Sequence, residues 1–476
     1  MSRQEASHVV MLPSPGMGHL IPIVELAKLL VSHHRFLITF IIPSSSSPPP
    51  KAQEAFLQSL PEYFDYILLP PPLSDGSFDE NGGPEAQICL TITHFLSLIR
   101  VALATLTKKV TLAAVVIDPF GIDIIDLAKG FDVLLYMHFG SAAINLLFTF
   151  HLPRLDEEVE GEYRYMQNPV ILPGCVPLHG KDFADPFQQR SSETYKRFLD
   201  QCKRFNLVDG ILVNSFIELE PGAIRALQDD DPRRPPVHPI GPIIQSVLNC
   251  EVDGSGYLNW LNNQPSGSVL YVSFGSGGTL SCDQFHELAL GLEMSEQRFL
   301  WVVRTPNDKS SCPSYCNAQG EADPLEFLPD GFLERTEIRG LVVPSWVCQI
   351  QVLSHDSTGG FLMHCGWNST LESIMHGVPL IAWPLYAEQR TNAVMLTEDL
   401  KVALRPKANG KGLLDRDEVS RVVKVLMEGE EGKRVRERAK ELKDLANRAL
   451  GEGGSSRKAM AQVAIKWRDQ RCSRNQ

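Results

Sequence analysis

Two α/β domains, each a doubly wound parallel sheet, are the fold class this sequence predicts, and three observations predict it. Short apolar runs of strand length alternate with amphipathic stretches of helix length from His8 to Val213 and again from Ser268 onward. Several runs, above all Leu112 to Ile117 (LAAVVI), are apolar at every position, the pattern of a parallel strand buried on both faces. At 476 residues the chain also exceeds what one hydrophobic core fills. Its middle, Pro232 to Gly256 (PRRPPVHPIGPIIQSVLNCEVDGSG), has linker composition. The expected division is a first domain over 1–243, a linker at 244–256, a second domain over 257–455 and a terminal helical piece, 456–476.

In order, His8 to Leu12 (HVVML) reads as a strand, 13–18 as a Gly/Pro turn, and Leu20 to His34 as an amphipathic helix. GMGHLI is only a partial dinucleotide fingerprint, because the third glycine is missing. A strand over 36–42 and a Ser/Pro-rich loop follow, then a helix over 53–60, a short strand at 67–69, a loop, and a long helix over 85–107. The strand 112–117 ends in Asp118. The alternation continues with a helix over 122–130, a strand over 133–138, a helix over 141–151, a Pro/Gly-rich excursion around 169–186, a helix over 191–207 and a strand over 210–213. In the second domain the strand 268–274, the Gly-rich turn GSGGTL, the helix 282–294 and the strand 298–303 repeat the unit. Residues 305–327 are polar and too long for an ordinary connection, which suggests a flap. Helices near 415–428, 430–450 and 456–470 close the chain.

Composition removes several function classes. A net charge of −12 argues against a nucleic-acid surface, and no polybasic run suggests membrane binding. The start of the chain has no apolar core behind a basic end, so a cytoplasmic protein is expected. The mostly apolar run 131–150 has spanning length, but Asp132, His138, Gly140 and Asn145 break it into a strand-like and a helix-like half, so no stable membrane insertion is expected. The 10 cysteines include no CxxC pair, and Cys312 and Cys316 read as free thiols in a polar loop. Neither a metal site nor disulfides are expected.

The most informative stretch is Trp346 to Gln389 (WVCQIQVLSHDSTGGFLMHCGWNSTLESIMHGVPLIAWPLYAEQ). GGFLM is a strand, HCGW a tight turn, and the residues from Asn368 start a helix with apolar Leu371, Ile374 and Met375. The first N–H groups of such a helix lack internal acceptors and sit at the positive end of its dipole, so the turn attracts a diphosphate. Trp346 offers a flat π surface and Gln349 an amide for a pyrimidine, while Glu388 and Gln389 offer partners for vicinal sugar hydroxyls. Each residue also has a plainer reading. Ser369-x-x-Glu372 fits a capping box, and Trp346, Trp367 and Trp383 could be core aromatics.

Taken together, these residues resemble the donor signature of the plant family 1 UDP-sugar glycosyltransferases, with its leading Trp, central HCGWNS and closing acidic-Gln pair. The resemblance implies the GT-B architecture, two domains facing a cleft with the last helix crossing back onto the first. It implies that Trp346 stacks on uracil with Val347 and Gln349 beside it, that Glu372 binds the ribose, and that His364, Asn368 and Ser369 bind the diphosphate. Trp367, Glu388 and Gln389 would hold the sugar, the terminal Gln going with glucose. Ser14, Gly18 and Ser276 match elements that touch the phosphates, and Ser141 a residue that touches the sugar's primary hydroxyl. UDP-glucose is then a co-substrate, with no metal or other cofactor. Two departures stand out: Val347-Cys348 precedes Gln349 where the family carries Pro, and YMHFGSAAIN places His138 and Gly140 where relatives carry an aromatic and Pro.

Open α/β sheets bind ligands at the carboxyl ends of their strands, and His19 and Asp118 both sit just past such ends. A helix start beside His19 favours neutral imidazole, and a carboxylate favours imidazolium as a proton arrives. With the resemblance, His19 becomes the general base and Asp118 its partner in an inverting transfer. Ile88, Phe120 and Phe148 are expected to line the acceptor pocket. Phrases such as LPSPGMGHLIP and LPGCVPLHGKDF resemble the branch that glucosylates small phenols and hydroquinones, so the expected partners are a UDP-sugar and a small aromatic acceptor, bound by a monomer. Two alternatives remain at this point, a nucleotide-sugar epimerase of the same fold and a degenerate small-molecule binding protein.

Overall fold

The computed structural model describes residues 7–44, 51–71, 84–229, 231–246, 255–308, 322–344 and 346–474. The first half winds through β1 (His8–Leu12), α1 (Met17–His34), β2 (Leu37–Pro43), α2 (Lys51–Gln58), β3 (Phe64–Leu69), α3 (Pro84–Thr107) and β4 (Leu112–Ile117). It continues through α4 (Ile125–Gly130), β5 (Leu134–Phe139), α5 (Ala143–Glu158), α6 (Glu193–Arg204), β6 (Gly210–Val213), α7 (Pro221–Gln228) and β7 (Val237–Pro239). These strands form one parallel sheet in the order β3-β2-β1-β4-β5-β6-β7. The chain works outward from β1 in one direction and restarts at β4 in the other, so the switch point lies between β1 and β4. There Leu12 pairs with Ile117, which puts the residues that follow these two strands side by side.

The second half contains α8 (Ser255–Asn262), β8 (Val269–Ser273), α9 (Cys282–Ser295), β9 (Arg298–Val303), α10 (Phe332–Thr336), β10 (Gly340–Pro344) and α11 (Gln349–Ser354). It continues with β11 (Thr358–Met363), α12 (Trp367–His376), β12 (Leu380–Ala382), α13 (Gln389–Val394), β13 (Ala403–Leu404), α14 (Arg416–Glu428) and α15 (Glu430–Leu450). Its parallel sheet runs β10-β9-β8-β11-β12-β13, with the switch point between β8 and β11. The last helix, α16 (Ser455–Arg474), lies on the first sheet. Fully buried Trp467 meets Phe36 and Tyr136 edge-on, with ring centroids 5.7 and 5.1 Å apart, and Ser456 donates to the Gly241 carbonyl. The largest apolar cluster runs continuously through both halves, from Val10 and Phe148 to Val352 and Leu371.

Several elements differ from the sequence reading. The first helix begins at Met17, because Gly16 takes a left-sided φ of 112° that turns the chain directly from β1 into the helix. The segment after Asp118 starts as a 3₁₀ turn over Pro119–Ile124 before α4. The helix expected over 141–151 runs on to Glu158 through Pro153. The short strands β7, β12 and β13 carry too few residues to show a period. Apolar 131–150 does divide as expected, between a turn, β5 and α5. By length and hydropathy the candidate span is instead Leu90–Thr107 of α3, whose Ile92, Phe95, Ile99 and Leu103 are buried against the sheet. Most of the expected linker and of the polar stretch 305–327, with Cys312 and Cys316, lies outside the described residues.

Removing the Trp467 indole opens a cavity between α16 and the first sheet. Trp467→Ala should therefore cost about 3–5 kcal/mol, read as a lower melting temperature in thermal denaturation, whereas an exposed neighbour such as Ile465→Ala should cost little.

Candidate active site

At the first switch point α1 carries His19 in its opening turn, and Asp118 follows β4 directly. His19 Nδ1 lies 3.2 Å from Asp118 Oδ2. The carboxylate has two further donors: Ser14 Oγ to Oδ1 at 2.6 Å and the Ser14 backbone N–H to Oδ2 at 2.8 Å. Burial alone would push the Asp118 carboxyl up, but the hydrogen bond and charge of His19 together with the Ser14 donors more than offset it and hold the group below the usual range. Asp118 is thus a fixed anion that orients His19 through Nδ1. The Ser14 hydroxyl and N–H are both engaged by Asp118, and the residue is buried, so it supports the carboxylate.

His138 occupies the same sheet face, since Val116 pairs with Tyr136 and both strands alternate. It is buried with Nε2 unpartnered, and burial pushes its imidazole down to about 4, Asp118 pulling up and His19 down. Gly18 is exposed at the mouth of the turn.

At the second switch point the turn between β11 and α12 is held by Cys365, which adopts a left-handed φ of 64°. His364 is buried between two glycines. A Cβ at Gly275 would lie 2.6 Å from its ring, and one at Gly366 would lie 2.4 Å from Nε2. Burial pushes this imidazole down to about 4, so it is neutral, and Nδ1 has no partner. Asn368 Oδ1 is likewise unpartnered, and Ser276 is exposed on the facing Gly-rich turn. The helix begins at Trp367 with Gly366 as its N-cap, so Ser369 and Glu372 lie inside it and the capping-box reading fails.

Gln349 Nε2 donates to Glu372 Oε2 at 2.6 Å and to Ser369 Oγ at 2.9 Å, which engages inside the protein an amide expected to face a pyrimidine. Trp346 is 47% exposed, while Val347 and Cys348 are buried. Cys348 is disulfide-bonded, which corrects the expectation that the chain forms no disulfides. That expectation rested on compartment, which says nothing about which sulfurs the fold brings together.

The two lobes meet through polar contacts. Trp367 Nε1 donates to the Asn214 carbonyl at 2.7 Å, so its side chain fastens the lobes. Ser141 Oγ donates to Glu388 Oε1 at 3.0 Å, and Asn145 Nδ2 donates to Asn392 Oδ1 at 2.8 Å. Gln389 Oε1 accepts from the Leu385 and Tyr386 N–H groups at 2.9 and 3.0 Å, fixing the loop that presents Glu388.

Phe120 meets the His19 ring edge-on at 5.2 Å. Phe148 is buried against Phe183 and Phe187, at 4.6 and 5.6 Å. Ile88 lies on α3 with its side chain outside the described residues. Sequence reasoning missed Phe183, Phe187 and Asn214, which sit in irregular segments or between elements where no periodicity marks them, and Phe198, whose place on α6 says nothing of what it faces. Among the described residues no group of three His, Cys, Asp or Glu side chains has metal-holding geometry.

Two facing parallel sheets, with an imidazole-carboxylate pair at one switch point and a glycine-walled anion turn at the other, define a GT-B glycosyltransferase. A model of the family described as UDP-glucoronosyl and UDP-glucosyl transferase matches residues 238–431. The chain is 56% identical over 467 residues, 98% of each chain, to the hydroquinone glucosyltransferase of Rauvolfia serpentina. Phytolacca americana UGT2, solved with UDP-2fluoro-glucose and pterostilbene, superposes with a TM-score of 0.89 at 52% identity over 97% of this chain and 99% of its own. A Polygonum tinctorium UDP-glucosyltransferase capable of glucosylating indoxyl, in complex with 3,4-dichloroaniline, gives 0.90 at 47% identity over 98% and 99%. The chain belongs to the UDP-glycosyltransferase family and is an enzyme of that family.

Glu372 carries a titratable prediction. Burial pushes its carboxyl up to about 7, with the Gln349 donor only partly opposing it. The unfolded chain releases this proton near 4.5 and the folded chain near 7, so between those values the native state binds more protons and stability falls as pH rises. Melting temperatures between pH 5 and 7.5 should show this decline, and Glu372→Gln, which keeps the shape but cannot ionise, should flatten it.

Proposed function

We propose that the chain transfers glucose from UDP-glucose, with inversion, to a hydroxyl of a small aromatic acceptor, giving a β-glucoside and UDP. The observation that carries this reading is the His19–Asp118 pair at the first switch point, in a chain whose other lobe bears the donor signature. The hydroquinone, pterostilbene and indoxyl named for the relatives support an aromatic acceptor.

In this mechanism His19 Nε2 takes the proton of the acceptor hydroxyl while the oxygen attacks the anomeric carbon. The new C–O bond forms as the bond to the diphosphate breaks, and UDP leaves with its electron pair. Asp118 stabilises the imidazolium through Nδ1. The departing charge meets the first N–H groups of α12 and the neutral His364 imidazole, whose unpartnered Nδ1 gains an acceptor only when ligand arrives. Asn368 and Ser276 face the same place. Trp346 stacks on uracil, Glu372 accepts from the ribose, and Glu388 exchanges its Ser141 contact for the hexose hydroxyls beside Gln389. Phe120 and Phe148 form the apolar side of the acceptor pocket.

The chain works as a cytoplasmic monomer without membrane insertion. One chain supplies both lobes of the site.

His19→Ala should lower kcat by about 10²- to 10⁴-fold with hydroquinone, with UDP still bound in calorimetry. Near-normal turnover by the folded variant would remove the mechanism. UDP released only when the phenol is present separates transfer from epimerisation, and UDP-glucose binding without product across a panel of phenols would leave a binding protein.

A further inference from the structure

The Pro/Gly-rich excursion of the first domain contains a strap, 180–188, made of two 3₁₀ turns, Gly180–Asp182 and Asp185–Phe187. It is rigid by its own contacts. Gln188 Nε2 donates to the Gly180 and Phe183 carbonyls at 3.0 and 2.8 Å, and Gly180 packs so closely on Tyr163 that a Cβ there would overlap its carbonyl. The inner side of the strap is aromatic. Phe183 and Phe187 hold Phe148, and Phe187 meets Phe198 at 6.1 Å, which meets Phe120 at 5.8 Å, which meets His19. One continuous line of rings therefore joins the strap to the base.

The outer side of the strap is bolted to the other lobe. Asp185 accepts from Arg390 Nη1 at 2.6 Å, and its backbone N–H donates to the Ala387 carbonyl at 3.1 Å. Thr391 Oγ1 donates to the Asp182 carbonyl at 2.8 Å, and Arg405 Nη2 donates to Asp182 Oδ1 at 2.9 Å. These contacts fall on both sides of Glu388 and Gln389: Ala387 precedes the pair, and Arg390 and Thr391 follow it.

We infer that Asp185 and Arg390 are positioning residues that couple the aromatic wall of the acceptor pocket to the loop gripping the sugar, so that neither side of the cleft can shift without the other. This rests on the acceptor and sugar assignments proposed above. A small flat acceptor offers few contacts of its own, and the attacking oxygen must still meet the anomeric carbon at close range. A rigid strap shared by both binding surfaces sets that distance before either substrate arrives.

The test is a steady-state cycle with hydroquinone and UDP-glucose. Asp185→Asn and Arg390→Gln, which keep shape and lose charge, should each raise the KM of both substrates by roughly 5-fold. The double variant should be no worse than either single one, and the charge swap D185R/R390D should return both KM values toward the starting protein. If the swap fails to fold, the Asn/Gln cycle still decides. Multiplicative single effects, a change confined to one substrate, or a lower melting temperature with both KM values unmoved would overturn the coupling. Glu388→Ala serves as the control: if it leaves the KM of UDP-glucose unchanged, the sugar-loop assignment fails, independently of the strap.

Discussion

The pairing of β1 with β4 is the constraint on which the rest depends. Leu12 and Ile117 lie opposite each other at the ends of these strands, so the chain leaves the sheet at two adjacent points and must place Ser14, His19 and Asp118 within reach of one another. A buried carboxylate costs free energy unless donors surround it. Asp118 receives three, two from Ser14 and one from His19, and it remains ionised in a site that would otherwise neutralise it. The imidazole is thereby held by a charge that cannot drift.

In the proposed function the second lobe solves the opposite problem, holding a charge that arrives only with the donor. His364 is neutral, walled by glycines, and left with an unpartnered nitrogen, and the N–H groups of α12 open beside it. Such groups are costly to bury without partners and become favourable when an anion fills the gap. The left-handed backbone at Cys365 is part of the same arrangement, because it lets the strand reverse into the helix without moving His364 out of place.

Legibility in the sequence followed the kind of signal each residue carries. The parallel strands declared themselves by apolar runs, and the positions of His19 and Asp118 followed from strand ends. Boundaries slipped where chemistry is local, as at Gly16, and the shortest strands showed no pattern. Among site residues, the ambiguous ones were those whose polar atoms have two plausible partners. The Ser14 hydroxyl can reach a phosphate or a carboxylate, and the Gln349 amide can face a base or Glu372; residue type is the same in both cases and only distance separates them.

What the sequence by itself determined is the class of chemistry: strand-turn-helix units, a helix start for a diphosphate, a histidine and an aspartate at strand ends. Those features are encoded within a few residues of one another, so local pattern suffices to read them. The tertiary structure alone decided how the two lobes lock, through Trp367 on Asn214, Ser141 on Glu388 and Arg390 on Asp185. These partners are far apart in the chain, on helix starts, turns and connecting segments of different lobes, so nothing short of the folded arrangement brings them together.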